Sequence, residues 1–157
     1  MKQKISCMNV ENNMELGVFC EGILEAYSAI YESATFRDAC SVASERLESL
    51  IALDHFFCGM IETNKDDDFY DKNKRIHFIF YQEGDNEQSR PPRYLENNEL
   101  LTQVFIWAES ISSLDRRGHV RRSSPEVRDM ENWLLLPLSS ASDGVIGVMG
   151  AGRKKGE

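Results

Sequence analysis

The C-terminal part of the sequence contains two apolar segments joined by a short polar turn. The first runs from Trp133 to Leu138, and the second, from Gly144 to Gly152, has a glycine at every second or third position. Short apolar runs bounded by turn residues are typical of strands buried on both faces of a sheet. Because so few residues connect them, the two segments predict an antiparallel hairpin, which restricts the chain to folds built around a sheet.

A long helix is predicted ahead of the sheet. From Asn12 to Glu32 the large apolar residues recur in steps of three and four, the period of an amphipathic helix. Residues 1–11 lack this period and predict a flexible N-terminal arm. Beside the main apolar stripe lies a second and weaker one, which predicts a homodimer contact through this helix. The second stripe consists of Val18, Ala26 and Ala29.

Downstream, the apolar period changes from helical to alternating. A second helix, with Thr35 as its N-cap, fades near Leu53. Two strands with a long polar loop, a third helix, a short strand, a short helix after Ser124 and the closing hairpin follow. The two strands run from His55 to Glu62 and from Arg75 to Gln82, and the third helix from Asn97 or Asn98 to Glu109. Helices placed beside antiparallel strands predict the α+β class.

Charge and composition exclude several kinds of partner. The chain has 157 residues, 41% of them hydrophobic, and a formal net charge of −8. Because general binders of nucleic acid or of anionic membranes carry an excess of Lys and Arg, neither partner is expected. No apolar run approaches the roughly 20 residues that span a bilayer. The four cysteines form no CxxC pair, so we expect buried thiols and a cytoplasmic location.

The closing hairpin resembles that of GAF domains. In that family an apolar strand ending in Pro-Leu, here Pro137-Leu138, is followed by a turn and by Gly-x-apolar-Gly-apolar, here Gly144 to Val148. The resemblance implies a GAF-like, PAS-related α+β fold, with a central antiparallel sheet of five or six strands flanked by helices. It implies one domain over residues 12–153. Residues 154–157 would be a tail that precedes a linker helix and an output domain.

The resemblance also implies a regulatory role. Such domains are modules of histidine kinases, phosphodiesterases or transcription regulators, and they hold a small-molecule pocket between the third helix and the sheet. We therefore predict a domain that senses a small molecule and dimerises, is linked to an output domain, and is not an enzyme. The sequence contains no catalytic or metal-binding constellation, and it leaves the cofactor unknown.

Two alternatives remain open. One is a small thiol-dependent enzyme on the same scaffold, similar to free methionine sulfoxide reductases, with Cys58 as the residue to test. The reductases of the family use cysteines in later loops, whereas no cysteine follows Cys58 in this chain. The other alternative is a pocketless domain that serves only as a dimerisation spacer.

The pocket wall is predicted from the third helix and the strands beneath it. Leu101 and Phe105 lie four residues apart on the inner face of that helix, and Phe57 and Leu135 lie on strands. All four are predicted ligand contacts, and their alternative role is that of ordinary core residues.

An arginine-rich segment from Asp115 to Asp129 predicts an anion site. It contains five arginines and three acidic residues, a net charge of +2 in a chain of −8. Arginine presents a planar fork that suits carboxylate or phosphate. We therefore predict an anionic ligand or an acidic partner surface at Arg121 and Arg122. The alternative is a solvated loop that pairs with the acidic surface of the chain.

Overall fold

A computed structural model describes residues 2–62, 74–96, 99–115 and 124–156. It contains two compact units, a helical unit formed by Met1–Ala52 and a sheet unit formed by Leu53–Glu157. No helix within the described ranges combines the length and the apolar character that crossing a membrane requires.

The helical unit consists of two consecutive helices, α1 (Lys2–Tyr31) and α2 (Phe36–Leu50). The predicted N-cap of α2 is confirmed, because the Thr35 hydroxyl accepts a hydrogen bond from the Asp38 backbone N–H at 3.1 Å. The arm predicted at residues 1–11 is instead, from Lys2 onwards, part of α1. Extending an existing helix needs no new nucleus, so the segment joins it without an apolar period of its own.

Small residues of α1 face α2. A methyl group at Gly22 would come within 2.5 Å of the Leu50 side chain, and Ala26 is buried. The large apolar residues that define the predicted main stripe, such as Ile23 and Tyr27, are exposed. The predicted second stripe is divided, since Ala26 is buried while Val18 is exposed. Close approach of the two helices therefore decides which side of α1 is covered.

The sheet unit contains an antiparallel sheet of seven strands within the described residues. The strands are β1 (His55–Glu62), β2 (Arg75–Glu83), β3 (Asn86–Glu87), β4 (Arg93–Tyr94), β5 (Ile111–Ser112), β6 (Met130–Ser140) and β7 (Gly144–Lys154). Their spatial order is β3-β2-β1-β7-β6-β5, and β4 also pairs with β2. The predicted antiparallel sheet is thus confirmed. The strands beyond the predicted five or six are β3 and β4, whose two-residue length shows no period in the sequence.

The closing hairpin is formed by β6 and β7, with Leu138 opposite Gly147. Both strands are longer than predicted, and Lys154, expected in a tail, is the last residue of β7. The helix predicted after Ser124 is only a 3-10 helix, Pro125–Val127, because β6 already begins at Met130. The polar connection predicted between β1 and β2 lies outside the described residues.

The core of the sheet unit lies on the face that carries α3 (Leu100–Trp107). Phe57 of β1 lies in this core, and Gly150 of β7 is opposite it in the sheet. A methyl group at Gly150 would overlap the Phe57 ring, so glycine is needed for the close approach of the ring to β7. Because side chains alternate along a strand, His55 shares the face of Phe57.

Candidate ligand site

A cavity of about 280 Å³ opens in the sheet unit where β1 begins and β2 ends, and we call it the His55 cavity. Its walls come from these strands, the segment between β3 and β4, and the 3-10 helix with the start of β6. The lining residues are His55, Phe78, Tyr81, Glu83, Arg90, Pro91, Arg93, Pro125, Glu126, Asp129 and Met130. The cavity thus lies beside the 3-10 helix and not beneath α3, where the sequence predicts the pocket.

His55 has two ring nitrogens that lack a hydrogen-bond partner among the described residues. Its residue surface is 6% exposed, and neither imidazole nitrogen makes a hydrogen bond within the described residues. The nearest carboxylate oxygen, Oε1 of Glu83, is 3.8 Å from Nε2, which is too long for a hydrogen bond. Buried polar groups normally have partners, so the His55 nitrogens are unsatisfied, and a ligand would reach them only after neighbouring side chains move.

Burial also sets the charge of His55. Desolvation lowers the pKa of the imidazole below its ordinary value, and Lys154 lowers it further, while Glu83, Asp54 and Asp129 act in the opposite direction. The imidazole is therefore neutral at neutral pH. In that form one ring nitrogen donates a hydrogen bond and the other accepts one.

The apolar wall of the cavity is aromatic. The rings of Phe78 and Tyr81 meet edge to face with centroids 5.5 Å apart. Tyr81 is stacked on the core residue Phe57, with centroids 5.7 Å apart and planes inclined by 16°. Burial raises the pKa of the Tyr81 phenol, so it stays neutral. This stack fixes the aromatic wall to the core of the unit.

Glu83 is the centre of the polar wall. Its carboxylate accepts hydrogen bonds from Gln88 Nε2 at 3.2 Å and Arg90 Nη2 at 3.4 Å. Its other oxygen lies 3.1 Å from Lys154 Nζ. The hydrogen bond with Lys154 is the main cause that lowers the pKa of Glu83. Glu83 is therefore an anion at neutral pH, and it lies opposite His55 in the sheet.

A buried ionic cluster holds the segments around the cavity together. Arg93 of β4 lies between Glu126 of the 3-10 helix and Glu99, which precedes α3, and both carboxylates are buried. Arg93 Nη1 donates to Glu99 Oε2 at 3.0 Å. Burial opposes its charge, yet hydrogen bonds with Glu126 and Glu99 raise the pKa of Arg93 above its ordinary value. The described lining has two arginines and three carboxylates, a net charge of −1 with His55 neutral.

The structure separates the predicted ligand contacts into two groups. Phe57, Leu101, Phe105 and Leu135 come together in one core cluster, as the resemblance implies, but they are not among the residues that line the cavity. Arg121 and Arg122 lie outside the described residues. A ligand role for these six residues stays a prediction.

The helix predicted after Ser124 is shorter than expected, while the anion site predicted at Arg121 and Arg122 lies outside the described residues. The 3-10 helix has only three residues, and the Ser124 hydroxyl accepts the Leu101 backbone N–H of α3 at 3.0 Å instead of capping its own helix. The polar residues of the cavity are not predicted from the sequence. The available signal is that His55 and Glu83 place polar groups on the core side of strand ends.

Metal binding and thiol chemistry are the two other kinds of site to compare with the described residues. Among the described residues, no three His, Cys, Asp or Glu side chains lie close enough to hold a metal ion. Cys58, the thiol singled out in the sequence, is fully buried on β1, and it does not line the cavity.

Solved structures provide a comparison where sequence does not, because no family model and no curated protein matches this chain. The GAF domain of Acinetobacter phosphoenolpyruvate-protein phosphotransferase matches with a TM-score of 0.63 and 15% identity over 89% of this chain and 79% of that one. A methyl-accepting chemotaxis protein matches with a TM-score of 0.62 and 14% identity over 87% and 85%. An open antiparallel sheet in a chain that also contains helices defines the α+β class. Within that class, this chain has the fold of GAF domains.

The prediction that the chain is not an enzyme is contradicted by a third match. The free methionine-R-sulfoxide reductase from Neisseria meningitidis, solved with its substrate, has a TM-score of 0.59. The two sequences are 11% identical over 87% of this chain and 73% of the other. Because enzymes share this fold, the GAF resemblance gives no ground for excluding catalysis.

Proposed function

We propose that this chain is a regulatory domain that senses a small molecule bound in the His55 cavity. The observation that carries the proposal is the pair of buried His55 nitrogens without a partner in the described residues. Leaving such groups unsatisfied costs about 1–3 kcal/mol, and a ligand with one donor and one acceptor would recover it. A polar ligand would therefore stabilise this cavity more than it would stabilise a cavity lined only by apolar groups.

The size and walls of the cavity support the same proposal. Its volume of about 280 Å³ is close to the lower end of ligand pockets, about 300 Å³, so the ligand would be a small metabolite. Phe78 and Met130 provide apolar surface, while His55 and Glu83 provide hydrogen bonds. These features favour a sensing domain over a pocketless spacer.

The predicted anionic group of the ligand would be bound by Arg121 and Arg122. This part of the proposal depends on residues outside those described. The double variant Arg121→Ala, Arg122→Ala tests it, because binding of an anionic ligand should weaken in the variant and with added salt.

Assembly is the second part of the proposal. We propose a cytoplasmic homodimer through α1 that is linked to an output domain, since the solved structures with this fold include parts of signalling proteins such as a methyl-accepting chemotaxis protein. Among the described side chains of α1, seven large apolar ones are more than a third exposed, and a second copy would cover them. They are Val18, Phe19, Ile23, Leu24, Tyr27, Ile30 and Tyr31.

The experiment is a thermal-shift screen of small metabolites against the whole chain and two matched variants. His55→Phe keeps an aromatic ring but removes both nitrogens, and His77→Phe makes the same change at a histidine that does not line the cavity. We expect a ligand that raises Tm in the wild type and in His77→Phe but not in His55→Phe. A ligand that stabilises all three proteins equally, or a screen without any hit, would count against this site.

A further inference from the structure

We propose that the His55 cavity binds a cationic group of its ligand, an alkylammonium or alkylguanidinium, at the place where the chain's own Arg90 now lies. This inference rests on the proposed function and names the chemical class of ligand. It is carried by the contacts that Arg90 makes with the aromatic wall and the polar wall of the cavity.

Arg90 marks a site that is built for a cation. Its guanidinium carbon lies 4.5 Å from the centroid of the Tyr81 ring, and its Nη2 lies 3.4 Å from Glu83 Oε2. Tyr81 and Glu83 are two residues apart on β2, so both side chains point to the same face of the sheet. An aromatic face combined with a carboxylate is the arrangement that attracts ammonium and guanidinium groups.

Arg90 is held much less firmly than Arg93. Its side chain is 42% exposed, and its hydrogen bond to Glu83 is long at 3.4 Å. Arg93 is 25% exposed and donates to two buried carboxylates and to the Tyr94 carbonyl. Because exposed ion pairs contribute little to stability, Arg90 can leave the cavity at small cost. Arg93 remains as part of its wall.

The charge of the lining favours a cation as the replacement. With Arg90 in place the described lining has a net charge of −1, and without it the net charge is −2, since Arg93 then faces Glu83, Glu126 and Asp129. The neutral imidazole of His55 cannot compensate. A ligand cation on Tyr81 and Glu83 would restore the original balance, and its remaining polar atoms would meet the His55 nitrogens.

Arg90 is therefore an internal competitor of the ligand. A ligand binds only those molecules in which the guanidinium has moved away, so its apparent affinity falls by the fraction of open molecules. If Arg90 occupies the site in about nine molecules of ten, its removal tightens binding about 10-fold.

The test is a titration of the whole chain with methylguanidinium, followed by NMR chemical shifts or calorimetry. Methylurea, which has the same shape without the charge, is the neutral control. We expect Arg90→Ala to bind methylguanidinium about 10-fold more tightly than the wild type and to gain nothing for methylurea. Arg75→Ala is the matched variant, because Arg75 lies 5.8 Å from the ring of Tyr94 but does not line the cavity, and it should bind as the wild type does.

Glu83→Gln, added to Arg90→Ala, should abolish the gain while keeping the shape of the site, and circular dichroism checks that each variant is folded. Equal affinity of wild type and Arg90→Ala, or equal binding of methylurea and methylguanidinium, overturns the inference. A metabolite that needs His55 but binds wild type and Arg90→Ala equally would overturn it and leave the proposed function intact. Tight methylguanidinium binding by Arg90→Ala without any metabolite hit would instead remove the proposed function and keep the cation site.

Discussion

The Arg93 guanidinium and the Glu126 carboxylate form a two-pronged hydrogen-bonded pair, with Nε 2.6 Å from Oε1 and Nη2 2.8 Å from Oε2. The pair joins β4 to the 3-10 helix, two elements that lie 33 residues apart in the sequence. Glu126 is buried, so the pair is not a solvent-exposed surface salt bridge. Both residues line the His55 cavity.

The first prediction follows from this pair. Arg93→Met should lower the free energy of unfolding by about 3 kcal/mol, because it leaves two buried carboxylates without their cation. Urea denaturation measures the change. Arg75→Met is the control, since Arg75 pairs with the exposed Glu62 and its removal should have a much smaller effect. Similar losses in both variants would mean that burial of the Arg93 cluster contributes nothing.

The second prediction concerns pH. Burial lowers the pKa of His55 from its ordinary value of 6.5. Between the lowered pKa of the folded state and the ordinary pKa of the unfolded state, the unfolded chain therefore binds more protons than the folded chain. The free energy of unfolding therefore rises with pH up to about 6.5, and the contribution of His55 is constant above that. As the pH falls below about 6.5, this contribution is lost.

The pH effect is isolated by a variant. His55→Gln cannot titrate, so its stability should fall less than that of the wild type between about pH 7.5 and about pH 5.5. Urea denaturation at the two pH values decides the matter, and parallel curves for wild type and His55→Gln would contradict the prediction.

The third prediction concerns the close approach of Phe57 to β7. Gly150→Ala should destabilise the sheet unit by about 1–3 kcal/mol, because the added methyl group overlaps a ring that is buried and stacked on Tyr81. Gly17→Ala is the contrast. Its methyl group would meet nothing within 4 Å, and alanine favours a helix by up to about 1 kcal/mol. Thermal unfolding should therefore shift downward in the first variant only.

The fourth prediction concerns assembly. Tyr27 is 67% exposed in α1, and Tyr27→Glu should convert a dimer into a monomer by placing a charge in its apolar contact. Ser28→Glu adds the same charge next to Glu25 and Glu32 on the polar side of the helix, and it should leave the dimer unchanged. Sedimentation at micromolar concentration reports both. A wild type that is monomeric at these concentrations refutes the dimer.

The sheet could be predicted from the sequence because its long strands carry strong local patterns. The hairpin of β6 and β7 and the pairing of β1 with β2 follow from apolar periods and turn residues. The short strands β3 and β4 could not be predicted, since two residues show no alternation. The sequence predicts that α3 ends at Glu109, but Ala108 already has a left-handed conformation with φ of 51°. Glycine or asparagine usually marks such a position, and here it is an alanine.

The site was much harder to predict than the fold. The four apolar candidates Phe57, Leu101, Phe105 and Leu135 share one core cluster, and their ligand role stays a prediction. The cavity itself depends on His55, Glu83, Arg90 and Asp129, which come from separate elements. No periodicity connects such residues. Only the register of His55 with Glu83 and the ionic cluster around Arg93 bring them together.

The hydrogen bond between Glu83 and Lys154 has a consequence for how the domain communicates. Lys154 ends β7, and its backbone N–H also donates to the Asp54 carboxylate at 2.8 Å. A ligand cation that replaced Arg90 at Oε2 would share this carboxylate with Lys154, which binds Oε1. Because coupling free energies are reciprocal, a neighbour that displaces the end of β7 would alter ligand affinity by the same factor by which the ligand alters the attachment of that strand.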